Sequence, residues 1–152
     1  MRHINWLSKV IVITVGVVVI DQFTKGVVSA NGWYMVINKG VSFGWRPAGE
    51  WLTITLVVLV GVLSAVSFRY WRRAPLVAGL FLGGVTANLL DRISYGGVRD
   101  WLPIPWTGLY NNLADWAIAV AVVLLLYQSF IGKNADSSLQ RAEKIDSTLG
   151  EN

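Results

Sequence analysis

The chain has 152 residues, of which 54% are hydrophobic and only 14% charged, a balance too apolar for an ordinary soluble domain and fitting a membrane protein. It has no Cys and a single His, His3, which excludes disulfides, thiolate zinc sites, a cysteine nucleophile and, within one subunit, a His-built zinc site or a Ser-His-Asp relay. The net charge of +4 gathers near the ends of apolar segments, so it is assigned to lipid headgroups and topology, with no nucleic-acid partner.

Four apolar stretches follow in chain order: Trp6 to Val28, Trp51 to Phe68, Ala74 to Leu90 and Ala114 to Ile131. At 1.5 Å per residue, a stretch of roughly 18 residues covers about 27 Å, close to the ~30 Å hydrocarbon core. The amino end also resembles a secretory signal, with Arg2 and Lys9, apolar Val10 to Ile20 and small Val28-Ser29-Ala30. Three further spans and the polar Asp21-Gln22-Phe23-Thr24-Lys25 favour a retained helix. Pro75 suits the first turn of the third segment, and Gly61, Gly79, Gly83 and Gly84 permit close helix approach. Trp6, Trp33, Trp51, Trp71, Trp101, Trp106 and Trp116 recur near span ends as an interfacial aromatic belt requires.

The expected fold is an all-α membrane protein of four transmembrane helices, residues 1–131, with a polar loop region on the outer face. A polar tail, 132–152, carries at most a short helix around Ser138 to Ile145 and is otherwise mobile. An even number of spans puts both termini on one side. Arg2, Lys9, Arg69, Arg72, Arg73, Lys133, Arg141 and Lys144 mark that side as cytoplasmic, against Lys25, Lys39, Arg46, Arg92 and Arg99 opposite.

Under this topology Asp21, Asp91, Asp100 and Asp115 all fall at the outer interface, and the cytoplasmic ends hold no acid until Asp136. Ionisable residues kept in a membrane pair, line a cavity or do chemistry. Hydrolysis here would run on carboxylates, or on Ser with Lys as base, through Ser29 with Lys25 or Ser42 with Lys39. A small transporter or channel subunit with relay aspartates is the alternative from another class, although its pathway would cross the bilayer instead of forming one interfacial layer. Taken singly, Asp21 with Lys25 reads as an i, i+4 pair. Asp91 and Arg92 point apart and each needs its own partner.

Around the acids stand five blocks: Asp21-Gln22-Phe23-Thr24-Lys25; Asn38-Lys39-Gly40-Val41-Ser42-Phe43-Gly44; Gly83-Gly84 with Asn88 and Asp91-Arg92; Val98-Arg99-Asp100-Trp101; and Asn111-Asn112-Leu113-Ala114-Asp115. In this order, at these span ends, they resemble lipoprotein signal peptidase (signal peptidase II), an intramembrane aspartyl protease family of bacteria. Its motifs run Asp-Gln-x-x-Lys, Asn-x-Gly-x-x-Phe-Gly, Gly-Gly-x-x-x-Asn-x-x-Asp-Arg, Val-x-Asp-Phe and Phe-Asn-x-Ala-Asp. The likeness covers residues 6 to 131. It departs at Trp101, where Phe is usual, and at Asn111, where the last motif has Phe.

The resemblance implies a catalytic pair at Asp100 and Asp115, with Asp21, Lys25, Asn38, Gly40, Asn88, Asp91, Arg92 and Asn112 as supporting or substrate-binding positions. It implies no metal and no cofactor. The implied substrate is a diacylglyceryl-modified prolipoprotein, cut just before the lipidated Cys by a monomer in the bacterial cytoplasmic (inner) membrane, among membrane lipids and open to globomycin-type inhibitors. An inactive relative that binds acylated peptides is disfavoured by the presence of both aspartates.

Overall fold

The structure is a computed structural model that describes residues 5–40 and 71–149, with side chains as far as residue 131. The expected span from Trp51 to Phe68 lies outside the described residues. Helix α1 covers Trp6–Ala30. Its first turn is capped by Asn5, whose side chain accepts from Ser8 N at 2.7 Å, satisfying one of the amides a helix start leaves unpaired. Strand β1, Val36–Asn38, follows.

Helix α2, Pro75–Tyr95, carries its proline in the first turn, as expected. It stops at Gly96, whose φ of 68° is the left-handed cap that glycine adopts without a Cβ penalty. Two antiparallel ladders come next. Strand β2, Val98–Asp100, pairs with β1 in the register Val36↔Asp100 and Asn38↔Val98. Strand β3, Leu102–Pro103, pairs with β4, Tyr110–Asn111. Helix α3 then runs Leu113–Leu149.

Among the described residues, three helical segments are long and apolar enough to cross a membrane: Trp6–Ala30, Pro75–Tyr95 and Leu113–Ile131. The starts fall within one residue of the expected stretches, the first two helices run two and five residues further at their ends, and the last continues as helical backbone through the polar tail in place of the short helix expected there. The all-α expectation is corrected by the two ladders. Strands of two or three residues are too short for alternation to show in a sequence.

Of these three, α2 sits in the middle. It packs on α1 along one side and on α3 along the other. A Cβ at Gly79 would lie 2.5 Å from Ile13 Cβ and one at Gly83 2.6 Å from Val17 Cβ, while one at Gly84 would collide with Ala114 O of α3. Small residues thus set both helix distances, as lipid-embedded packing favours. Away from the polar end, Val10, Trp71 and Ala78 form one apolar cluster and Ala74, Val77 and Ala121 another. Large apolar side chains such as Val12, Phe23, Val123 and Phe130 point outward, while Asp21, Lys25 and Asp91 are fully buried. That is the arrangement of a chain whose solvent is hydrocarbon.

Candidate functional site

The close approach at Gly84 brings the next turn of α2, carrying Asn88, against the start of α3. Asn88 Nδ2 donates to Asp115 Oδ1 at 2.7 Å. Asn112 precedes that helix and accepts from Asp115 N at 2.9 Å through Oδ1, an N-terminal cap of the usual kind. Its other amide atom, Nδ2, donates to Asp100 Oδ1 at 2.6 Å. One fully buried amide therefore joins the two aspartates.

Asp100 closes β2 and is only 2% exposed. The β1 partner strand supplies Asn38, whose Nδ2 donates to Asp100 Oδ2 at 2.9 Å while its Oδ1 accepts from Gly40 N at 3.0 Å. Gly97 leaves the room for this pairing, since a Cβ there would sit 2.8 Å from Ile37 Cγ2. Arg92 steadies two backbones: Nη2 donates to Gly40 O and Nη1 to Asn88 O, each at 3.3 Å. Asn88 Oδ1 is buried with no partner, an acceptor whose desolvation costs about 1–3 kcal/mol until a donor reaches it.

Burial pushes the Asp100 carboxyl above its ordinary range, against the opposing amide bonds of Asn38 and Asn112 and with help from the Asp115 charge. The folded state then holds this proton more tightly than the unfolded chain does. Its contribution to stability is complete below the ordinary carboxyl range and is lost as pH rises through the raised value. The melting temperature of the wild type in detergent is expected to fall across that window relative to Asp100→Asn, which lacks the titration. Parallel pH curves for the two proteins would remove the shift from Asp100.

Beside this centre lies a second polar set. Lys25 Nζ is 2.7 Å from Asp21 Oδ2 and 2.9 Å from Asp91 Oδ2, with all three side chains fully buried. Asp21 Oδ1 accepts from Ala114 N at 3.0 Å and so ties α1 to the start of α3. Asp91 takes Arg99 on its far side, with Nη2 at 2.7 Å and Nε at 3.1 Å from Oδ1. Gln22 bridges by donating to Asp91 Oδ1 at 3.0 Å and accepting from Arg99 Nη2 at 2.7 Å. Lys25 Nζ is turned to two buried carboxylates while Ser29 is exposed, an arrangement that does not pair Ser29 with Lys25. Ser42, the other serine considered, lies outside the described residues.

All ten residues singled out in the sequence fall in these two adjoining sets. Arg99 and Gln22 were missed as members. Gln22 belongs to a motif already quoted, but Arg99 reads as a topological charge until the fold places it inside.

Of the two departures, Asn111 finds partners for its side chain, whereas Trp101 Nε1, the atom that Phe lacks, is buried with no hydrogen-bond partner. Asn111 accepts from Trp116 Nε1 at 3.0 Å and donates to Leu102 O at 3.1 Å when its amide is turned to satisfy both; the reverse orientation sets like against like. Trp101 N donates to Asn111 O at 3.0 Å, lacing the two ladders together.

Fold and site together define a membrane-spanning helical protein with a buried carboxylate and amide centre where its helix ends meet. The family described as signal peptidase (SPase) II matches residues 13–131, and the chain belongs to that family, proteases whose known role is removal of the signal peptide from prolipoproteins. The lipoprotein signal peptidase of Rhodopseudomonas palustris (strain TIE-1) is 35% identical over 127 residues, 73% of this chain and 77% of that one. That of Syntrophomonas wolfei is 35% identical over 128 residues, 72% and 85% of the two chains. That of Acinetobacter baylyi is 28% identical over 93% of this chain and 89% of its own. A bacterial membrane enzyme solved by the in meso method at 2.3 Å shares the fold, with a TM-score of 0.67 at 18% identity over 88% of this chain and 94% of that one.

Proposed function

We propose that Asp100 and Asp115 are the catalytic dyad of an aspartic endopeptidase that cuts diacylglyceryl-modified prolipoproteins just before the lipidated Cys. The observation that carries this is Asn112, one buried amide bonded to Asp100 Oδ1 and to the Asp115 backbone. Two carboxylates near each other in a poorly solvated pocket titrate as a unit and share a proton. One takes a proton from water as it attacks the scissile carbonyl. The other protonates the carbonyl oxygen and later the leaving amine.

An unwound substrate backbone in lipid needs partners for its own polar groups, and the unpaired Asn88 Oδ1 offers an acceptor beside Asp115. The enzyme works as a monomer of four spans in the bacterial inner membrane. Both termini are cytoplasmic and the dyad lies at the outer interface. That depth suits a substrate anchored by its acyl chains and its apolar signal helix, both of which put the scissile bond near the headgroups.

The test is a gel-shift assay with purified protein in detergent, comparing a diacylglyceryl-modified precursor with its unmodified form, each with and without globomycin. Cleavage of the modified precursor alone, blocked by globomycin, is expected. Folded protein that leaves it uncut would return the relay-transporter reading, with ion flux as its readout.

A further inference from the structure

Arg99 touches neither oxygen of Asp100, and the family motif leaves its position open, as Val-x-Asp. Yet it is 6% exposed and makes four polar bonds within the second polar set, three of them to Asp91. Its guanidinium reaches Asp91 Oδ1 through both Nε and Nη2, and Nη2 also donates to Gln22 Oε1. Its backbone N–H donates to Asp91 Oδ2 at 2.9 Å. The guanidinium carbon lies 4.0 Å from the centroid of the Tyr95 ring.

These bonds span the turn between α2 and β2. Gly96 and Gly97 separate the end of α2 from β2, and the residue after Arg99 is Asp100. Asn38 and Asn112 orient the Asp100 carboxylate, whereas Arg99 fixes the strand that bears it to α1, through Gln22, and to the end of α2, through Asp91 and Tyr95. We propose that Arg99 is a positioning residue for the reaction, locking β2 so that Asp100 is held at the distance from Asp115 that catalysis needs. This rests on the dyad reading above.

Charge alone is not what the geometry uses. Asp21 and Asp91 are matched by Lys25 and Arg99, so any cation at 99 keeps the buried set neutral. Only a planar fork meets Asp91 and Gln22 together while lying on Tyr95. A lysine there supplies the charge without the fork. This separates positioning from mere structural support.

The experiment measures kcat, KM and melting temperature for Arg99→Lys and Arg99→Gln on the lipidated precursor, with Asp100→Asn alongside. Arg99→Lys is expected to melt close to wild type and to keep KM within about twofold, while kcat falls by about 10²-fold, the effect of a misplacement of about 1 Å. Arg99→Gln is expected to lose as much kcat and to melt lower, since Asp91 then has one cation fewer. Wild-type kcat in Arg99→Lys, or a loss no larger than the loss of folded protein, overturns the proposal. Cleavage surviving in Asp100→Asn instead overturns the dyad reading on which it rests, so the two failures are told apart.

Discussion

Replacing Asp115 by Asn is expected to lower kcat for prolipoprotein cleavage by about 10⁴-fold, the scale seen when a residue acting within a catalytic unit is removed. The change is nearly isosteric, and the cap between Asn112 Oδ1 and the backbone N of residue 115 does not depend on the carboxylate. The start of α3 therefore stays in place. What is lost is the ability to exchange a proton with Asp100, while the amide oxygen of the new side chain can still accept from Asn88 Nδ2. Asp100→Asn is expected to match it, and the double variant to be no worse than either single one, because the two act as one unit. Initial rates on the lipidated precursor, with folding checked by thermal melting, measure all three. Activity within about tenfold of wild type in Asp115→Asn would remove that residue from the reaction.

The second large effect is on stability. Lys25→Met takes the amino group from between Asp21 and Asp91, both fully buried. Removing one member of a buried ion-pair set leaves uncompensated charge and costs about 3–5 kcal/mol. Asp91 retains Arg99, but Asp21 keeps no cation among its described partners and must also hold Ala114 N. The loss is expected to reach activity through α3, whose first turn carries Asp115. Chemical unfolding in detergent measures the cost, and Asp21→Asn placed on Lys25→Met is expected to restore part of it by removing one of the stranded charges. A destabilisation below about 1 kcal/mol would mean that the ammonium contributes little beyond what solvent gives a surface pair.

Hydropathy made α1, α2 and α3 readable because uninterrupted apolar runs have no stable form in lipid except a helix. Pro75 and Gly96 mark the two ends of α2 by local backbone chemistry. The i, i+4 relation of Asp21 and Lys25 is likewise a property of the helix itself. The ladders were not readable, since Val36–Asn38 and Val98–Asp100 are each three residues long and their pairing joins segments about sixty positions apart. Arg99 was hidden for the same reason. Its partner Asp91 sits across the Gly96–Gly97 turn, and only β2 folding back on β1 turns a charge that suits a membrane surface into a buried strut. At Asn111 the sequence announces the loss of an aromatic but not the bond to Trp116 Nε1, which a hydrophobic residue would not make.

The bond from Ala114 N to Asp21 Oδ1 joins residues 93 positions apart. A contact of such long range forms late, after the intervening chain has been laid down. The helix start that carries Asp115 is thus completed by a carboxylate from the opening segment, and the pocket exists only once the first and last segments have met. A chain still leaving the ribosome holds its parts on different stretches of an unfinished thread.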